Sequence, residues 1–143
     1  YEVNEYVERV SYKNLECESS QVYKNGRECQ SSKVKKAIYY AINPEIADTT
    51  NDAIKITFDY LDNSRNPIVL TYTKGVVYQN DARFRFNGKR EISRKGKGGW
   101  KTAEIIIDSA NCESIGKFET DFTLSGGSAT LYVSNVKVEK ISK

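Results

Sequence analysis

The chain contains no histidine. Imidazole is the usual side chain for proton transfer near neutral pH and the commonest metal ligand. Its absence excludes Ser-His-Asp and Cys-His nucleophilic catalysis together with His-based zinc chemistry. Cysteine is scarce as well, since Cys17, Cys29 and Cys112 are the whole set and no two of them stand in CxxC spacing; a thiolate metal cluster is not expected. The longest apolar runs, such as Ile105-Ile106-Ile107, are a few residues long, against the roughly 20 that a membrane-spanning helix needs, so no membrane partner is expected. Nor does any stretch of ten or more residues carry apolar side chains at three-and-four spacing, which leaves no pattern for a long amphipathic helix.

What the chain does have is alternation. Its 143 residues are 38% hydrophobic, 29% charged and 11% aromatic, a size and composition expected of one folded domain spanning residues 1–143. Ile54, Ile56, Phe58 and Tyr60 alternate with Lys55, Thr57 and Asp59, which predicts a half-buried strand over Ala53 to Leu61. Pro67 to Thr73 alternates in the same way after the turn-forming run Asp62-Asn63-Ser64-Arg65-Asn66, and the two strands are expected to form a hairpin. Thr102 to Asp108 and Phe118 to Leu124 read as further strands. In Ala129 to Ile141 the apolar phase changes between Val133 and Val136, which predicts a bulge at Ser134-Asn135. Lys36 to Ile42 and Tyr6 to Tyr12 are rich in β-formers. Asn25-Gly26 marks a tight hairpin turn between Cys17 and Cys29; either a disulfide bridges that hairpin, placing the chain in an oxidising compartment, or both thiols are half-buried and unbridged. Eight or nine short strands give the expected fold class: all-β, a β-sandwich (jelly roll) of two antiparallel sheets. Tyr1 opens no signal-peptide pattern, so the expectation is a mature protein or a module of a longer chain.

Charge is concentrated. The net charge of the chain is +3, yet the window from Arg83 to Lys101 holds eight cations against Glu91 alone, a net of +7, so the remainder carries −4. Arg83 and Arg85 alternate with Phe84 and Phe86, which places both guanidinium groups on one face of a strand. The segment Ser93 to Gly99 combines Arg94, Lys95 and Lys97 with three glycines and reads as a mobile basic loop. An acidic polysaccharide suits such cations, because a planar guanidinium binds a carboxylate through two parallel hydrogen bonds. Nucleic acid fits less well, because a dedicated nucleic-acid domain usually exceeds the sequence pI of 8.7. A solvated loop guarding an edge strand is the plain structural reading.

Ten tyrosines, five phenylalanines and one tryptophan provide rings on which a sugar can pack while a phenol reaches its hydroxyls. Tyr39-Tyr40 places one ring on each face of a strand, so one of the two is expected at solvent or ligand. Tyr78 and Tyr132 fall opposite their core neighbours, and Trp100 opens a strand after the glycine-rich loop. For catalysis without histidine, carboxylate pairs such as Asp59 with Glu104 or Glu119 with Asp121 would have to face each other across a cleft; acidic residues on strands more often form the polar face. Tyr72 to Gln79 faintly resembles the Y-x-K-x-G-x-Y-x-Q run of alginate lyases, with the glycine out of register and the tyrosine-to-glutamine spacing one residue short.

From Tyr39 to Glu139, about 100 residues, the order of features resembles the carbohydrate-binding-module-like, galactose-binding-like jelly-roll domains of bacterial polysaccharide-degrading enzymes. The residues that carry the likeness are Ile38-Tyr39-Tyr40-Ala41-Ile42-Asn43, Ile54 to Asp62, Trp100-Lys101-Thr102 leading to Asp108-Ser109-Ala110, Asp121-Phe122-Thr123-Leu124, and Leu131 to Glu139. The resemblance implies a secreted, extracellular, monomeric and non-catalytic module that tethers a catalytic domain of the same parent chain to a polysaccharide, with no nucleic-acid partner. It also implies a structural calcium, for which Glu16, Glu18 and Glu139 are the candidate carboxylates. Candidate ligand-binding residues are Tyr40, Tyr78, Arg83, Arg85, Lys89, Arg90 and Trp100. The alternatives are a structural or adhesive extracellular domain without a glycan site, and a small polysaccharide lyase.

Overall fold

The computed structural model of the chain describes residues 7–10, 19–42, 53–73, 88–108 and 121–141, with backbone alone for 7–10 and 19–20. Among these residues the regular structure is entirely β: β1 (Val7–Val10), β2 (Ser19–Lys24), β3 (Arg27–Ser32), β4 (Ala37–Ile42), β5 (Ala53–Leu61), β6 (Ile68–Tyr72), β7 (Gly88–Ile92), β8 (Trp100–Ile107), β9 (Phe122–Ser125) and β10 (Leu131–Ile141). They form two antiparallel sheets, in strand order β1-β4-β9-β6-β7 and β2-β3-β10-β5-β8. Neither closes into a barrel, and the fold is a β-sandwich.

The alternation in the sequence becomes the inner faces. Ile38, Tyr40 and Ile42 of β4, Ile68, Leu70 and Tyr72 of β6, and Phe122 and Leu124 of β9 point inward from the first sheet. Ile54, Ile56, Phe58 and Tyr60 of β5 meet them from the second, with Ala103, Ile105 and Ile107 of β8 and Leu131, Val133, Val136 and Val138 of β10. Removing each of the larger of these side chains from water contributes roughly 1.5–3 kcal/mol. Tyr40 and Phe122 stack with ring centroids 4.9 Å apart. The bulge in β10 falls where the phase change predicts it: the register with β5 shifts between Ser134 and Lys137, and Asn135 takes a positive φ of 53°.

The β5–β6 hairpin does not form. β5 lies between β10 and β8 in the second sheet, and β6 lies between β9 and β7 in the first. Alternation says which face of a strand is apolar, and a sandwich satisfies that face equally from either sheet. The segment Asp62 to Pro67 is therefore a crossing between sheets. The Asn25-Gly26 hairpin does form, joining β2 to β3 with φ of 48° and 83° at its two central residues, the positive values that a two-residue turn of this type requires. In that ladder the residue opposite Cys29 is Val22, and Cys29 is a free thiol that is fully rather than half buried; Cys17 lies outside the described residues.

Candidate functional site: a cationic loop held by a buried aspartate

Asp62 directly follows β5, and every residue from Lys95 to Gly99 bonds to it. The backbone N–H groups of Lys95 and Gly96 donate to Oδ1 at 3.0 and 2.8 Å, and that of Lys97 donates to Oδ2 at 3.3 Å. The Gly98 N–H donates to the Asp62 carbonyl at 2.7 Å, and the Asp62 N–H donates to the Gly99 carbonyl at 2.9 Å. Such a concave run of N–H groups is a nest for an anion, here filled by the protein's own carboxylate. Asp62 is buried. Burial by itself would raise its pKa, but the N–H groups of Gly96, Lys97 and Lys95 and the nearby charge of Lys101 hold it below the ordinary carboxylate value. Gly98 has φ of 75°, a conformation that costs a side-chain-bearing residue energy.

Arg94, the residue before this run, is also buried and acts as an anchor. Its Nε donates to the Asn66 carbonyl at 2.6 Å, one terminal nitrogen to Asn63 Oδ1 at 2.8 Å and the other to the Gly126 carbonyl at 3.4 Å. Asn63 Nδ2 in turn donates to the Thr130 carbonyl at 3.2 Å. Three connecting segments, 62–67, 93–99 and 126–130, are thus tied together. The expected mobile loop is instead a bonded one, because glycines that would otherwise confer freedom are used here to aim N–H groups at a carboxylate.

The charges on this frame point to solvent. The side chains of Arg65, Lys95, Lys97 and Lys101 are exposed. The Arg65 stem runs beside Gly96, where a Cβ would sit 3.3 Å from Arg65 Cγ. No hydrogen bond or ion pair engages the charged ends of these four among the described residues. Asp62, on which the charge of Lys101 acts, already accepts three backbone donors. The result is a compact cationic surface on a preset backbone, at the junction of β5 and β8.

Beside it, on the outer face of the second sheet, other cations are consumed by pairing. Arg27 lies over the Trp100 ring at 4.5 Å from the centroid and donates to Asp59 Oδ2 at 2.8 Å and to Ser134 Oγ at 3.1 Å. Asp59 also accepts from Thr102 Oγ1 at 2.7 Å and Asn135 Nδ2 at 2.9 Å. Burial works against the ionised form of Asp59, while the hydrogen bonds from Thr102, Asn135 and Arg27 favour it and lower its pKa overall. Lys24 Nζ lies 5.4 Å from the centroid of Tyr132, whose ring is half-exposed on the face expected for it.

The residues expected to bind ligand fare differently. Tyr40 is fully buried and stacked on Phe122. Tyr39, its neighbour, is also buried, so neither ring of that pair is presented to solvent; Tyr40 shares the inward phase of Ile38 and Ile42. Trp100 spends its indole N–H on the Asn25 carbonyl at 3.1 Å and one ring face on Arg27, which makes it a strut for the β2–β3 turn. Arg90 reaches from the edge of the first sheet to the Ile106 carbonyl at the edge of the second, 3.0 Å away. Lys89 is exposed and pairs with Glu91 at 3.2 Å. Tyr78, Arg83 and Arg85 lie outside the described residues.

Of the calcium candidates, Glu139 pairs with Lys55 at 3.9 Å, and Glu16 and Glu18 lie outside the described residues. Among the described residues no three Cys, Asp or Glu side chains gather in a metal-holding cluster. Of the carboxylates considered as catalytic pairs, Asp59 and Asp121 have structural partners. Asp59 stands opposite Thr102 rather than Glu104, and Asp121 is buried with Oδ2 accepting the Ile42 N–H at 2.6 Å. Glu119 lies outside the described residues. Tyr72 is a core residue whose ring covers Gly88, and Lys74 to Gln79 lie outside the described residues.

Sequence reasoning found the basic segment and missed Asp62. The residue belongs to a turn-forming run, and its partners begin 33 positions away; the one available signal was an acid at the end of an apolar strand in a chain that also holds a glycine-rich basic loop. No model of a known protein family matches the chain, and no curated protein matches it either.

Proposed function

We propose that the chain is a non-catalytic binding domain for an acidic polysaccharide, and that Arg65, Lys95, Lys97 and Lys101 form its contact surface. The observation that carries the reading is that, among the described residues, no hydrogen bond or ion pair engages the charged ends of these four exposed cations while the backbone of the loop is held in place. Pairing them internally would stabilise the domain; leaving them unpaired on a rigid frame suits an external anion, because little ordering cost remains at binding. A polymer with one carboxylate per sugar fits a compact patch. A nucleic-acid duplex, with a charge every 1.7 Å or so, would extend past it onto a chain that carries −4 outside the window from Arg83 to Lys101. As a module beside a catalytic domain it would raise the local concentration of that partner on its polymer.

Affinity electrophoresis against pectin, alginate, xylan and β-glucan tests this. Retardation is expected in pectin or alginate, weakened by added salt and by Lys95→Gln with Lys97→Gln. Retardation by the neutral glucan alone, or none in any gel, would overturn it; the latter is the result expected of a structural or adhesive domain.

A further inference from the structure

The proposed contact surface contains one residue of the wrong sign. Asp62 lies amid Arg65, Lys95, Lys97 and Lys101, and a carboxylate there lowers the positive potential that an anionic ligand meets. In a simple electrostatic account its removal would strengthen binding by taking away one negative charge.

The geometry points to the opposite. We infer that Asp62 is the positioning residue of the surface, holding the Lys95 and Lys97 side chains at the spacing in which they bind two successive anionic groups of one chain; the inference rests on the binding role proposed above. Three features support it. Among the described residues all three hydrogen bonds of the carboxylate come from backbone N–H groups, so its bonding capacity is spent on loop shape. The main chain of the same residue closes two more bonds, to Gly98 and Gly99, so five consecutive loop residues are referenced to the end of one core strand. Arg94 locks the entry to the loop from the other side through Asn66, Asn63 and Gly126.

Lys95 and Lys97 are two apart on this backbone, on either side of Gly96, against which the Arg65 stem lies. The points from which the two stems leave the surface are set by that backbone, while each stem keeps its own rotamer freedom. A loop released from Asp62 would keep the same charges and lose their arrangement. The ligand class that suits two cations carried so close in the chain is a flexible polyanion with a charge on each repeat, a polyuronate.

The test measures affinity for polygalacturonate by titration of the whole chain, comparing the parent with Asp62→Asn, Gly98→Ala and, as a matched control, Asp59→Asn. Asp62→Asn and Asp59→Asn each remove one negative charge from the same end of the molecule. Gly98→Ala changes no charge, meets open space at its Cβ and strains only the positive φ, so it disturbs the loop without touching the core and covers the case in which Asp62→Asn fails to fold. The expected result is a loss of about threefold to tenfold for Asp62→Asn, a smaller loss for Gly98→Ala, and unchanged or tighter binding for Asp59→Asn. Faster amide exchange at Lys95, Gly96 and Lys97 should accompany the loss. Equal or tighter binding by Asp62→Asn, or unchanged binding by a Gly98→Ala variant whose loop amides exchange faster, overturns the positioning role while leaving the binding role intact. No binding by the parent chain removes both.

Discussion

Two clusters of basic residues lie side by side at the junction of β5 and β8, and they use the same chemistry in opposite ways. In the Arg27 cluster the side chain is bonded: the guanidinium stacks on Trp100 and donates to Asp59 and Ser134. In the loop that follows Arg94 the backbone is bonded, by Asp62, and the lysine side chains are left to solvent. A cation whose head is paired stabilises the fold and has little left for a partner. A cation whose backbone is held keeps its charge available at a defined place. The difference separates the basic residues that hold the sandwich together, Arg27, Arg90 and Arg94, from those that can serve an external anion.

The contrast is most exposed to failure at the two aspartates. Asp62→Ala leaves three backbone donors of the loop without their buried acceptor, and a stability loss of about 3 kcal/mol or more is expected in urea unfolding. Asp59→Ala opens a part-exposed network to water and should cost only about 1 kcal/mol. Equal losses at the two sites would mean that the loop is held by something other than Asp62.

Acid sharpens the same point. Both carboxylates have folded-state pKa values lowered below the ordinary value of about 3.9 for an unfolded aspartate. Their contribution is therefore fully present above that value and is lost as pH falls through the lower folded-state value. The stability gap between the parent and Asp62→Asn should be constant from pH 7 to about pH 5 and narrow below about pH 4. A gap that stays constant into acid would show that the carboxylate charge does not hold the loop.

The smallest effects are expected at the cations themselves. Arg27→Ala removes a ring stack and a part-exposed ion pair and should cost about 1 kcal/mol. Lys95→Ala and Lys97→Ala should each stay within about 0.5 kcal/mol of the parent, measured in the same urea titrations, because among the described residues no hydrogen bond or ion pair engages their side chains. A large loss at either lysine would place it with Arg27 as a structural residue.

Much of this architecture was legible in the linear pattern. Period-two alternation identified the inner faces of β5, β6 and β8 residue by residue. The phase change at Ser134-Asn135 located the bulge in β10, and Asn25-Gly26 located the β2–β3 turn, since each is a local rule of backbone geometry acting over a few residues. The pairing of strands was not legible in the same way. β5 and β6 are adjacent in the chain and lie in different sheets, because an apolar face is satisfied by either inner surface. Tyr40 was misjudged for a different reason: it shares the phase of Ile38 and Ile42 and so faces the core, while the burial of Tyr39 on the other face has no signature in the alternation.

By itself, then, the sequence determined an all-β chain without imidazole chemistry, the faces its strands would bury and the stretch where its positive charge would gather, because composition and short-range periodicity act locally. Only the tertiary structure decided which of those charges stay available. That depends on a carboxylate 33 residues upstream of the loop being carried by the end of β5 to the backbone of the segment before β8, and on Trp100, Arg27 and Arg90 being placed where partners for them happen to lie. A hydrogen bond between distant residues has no signature in either segment alone; it exists once the core has brought the strand ends together.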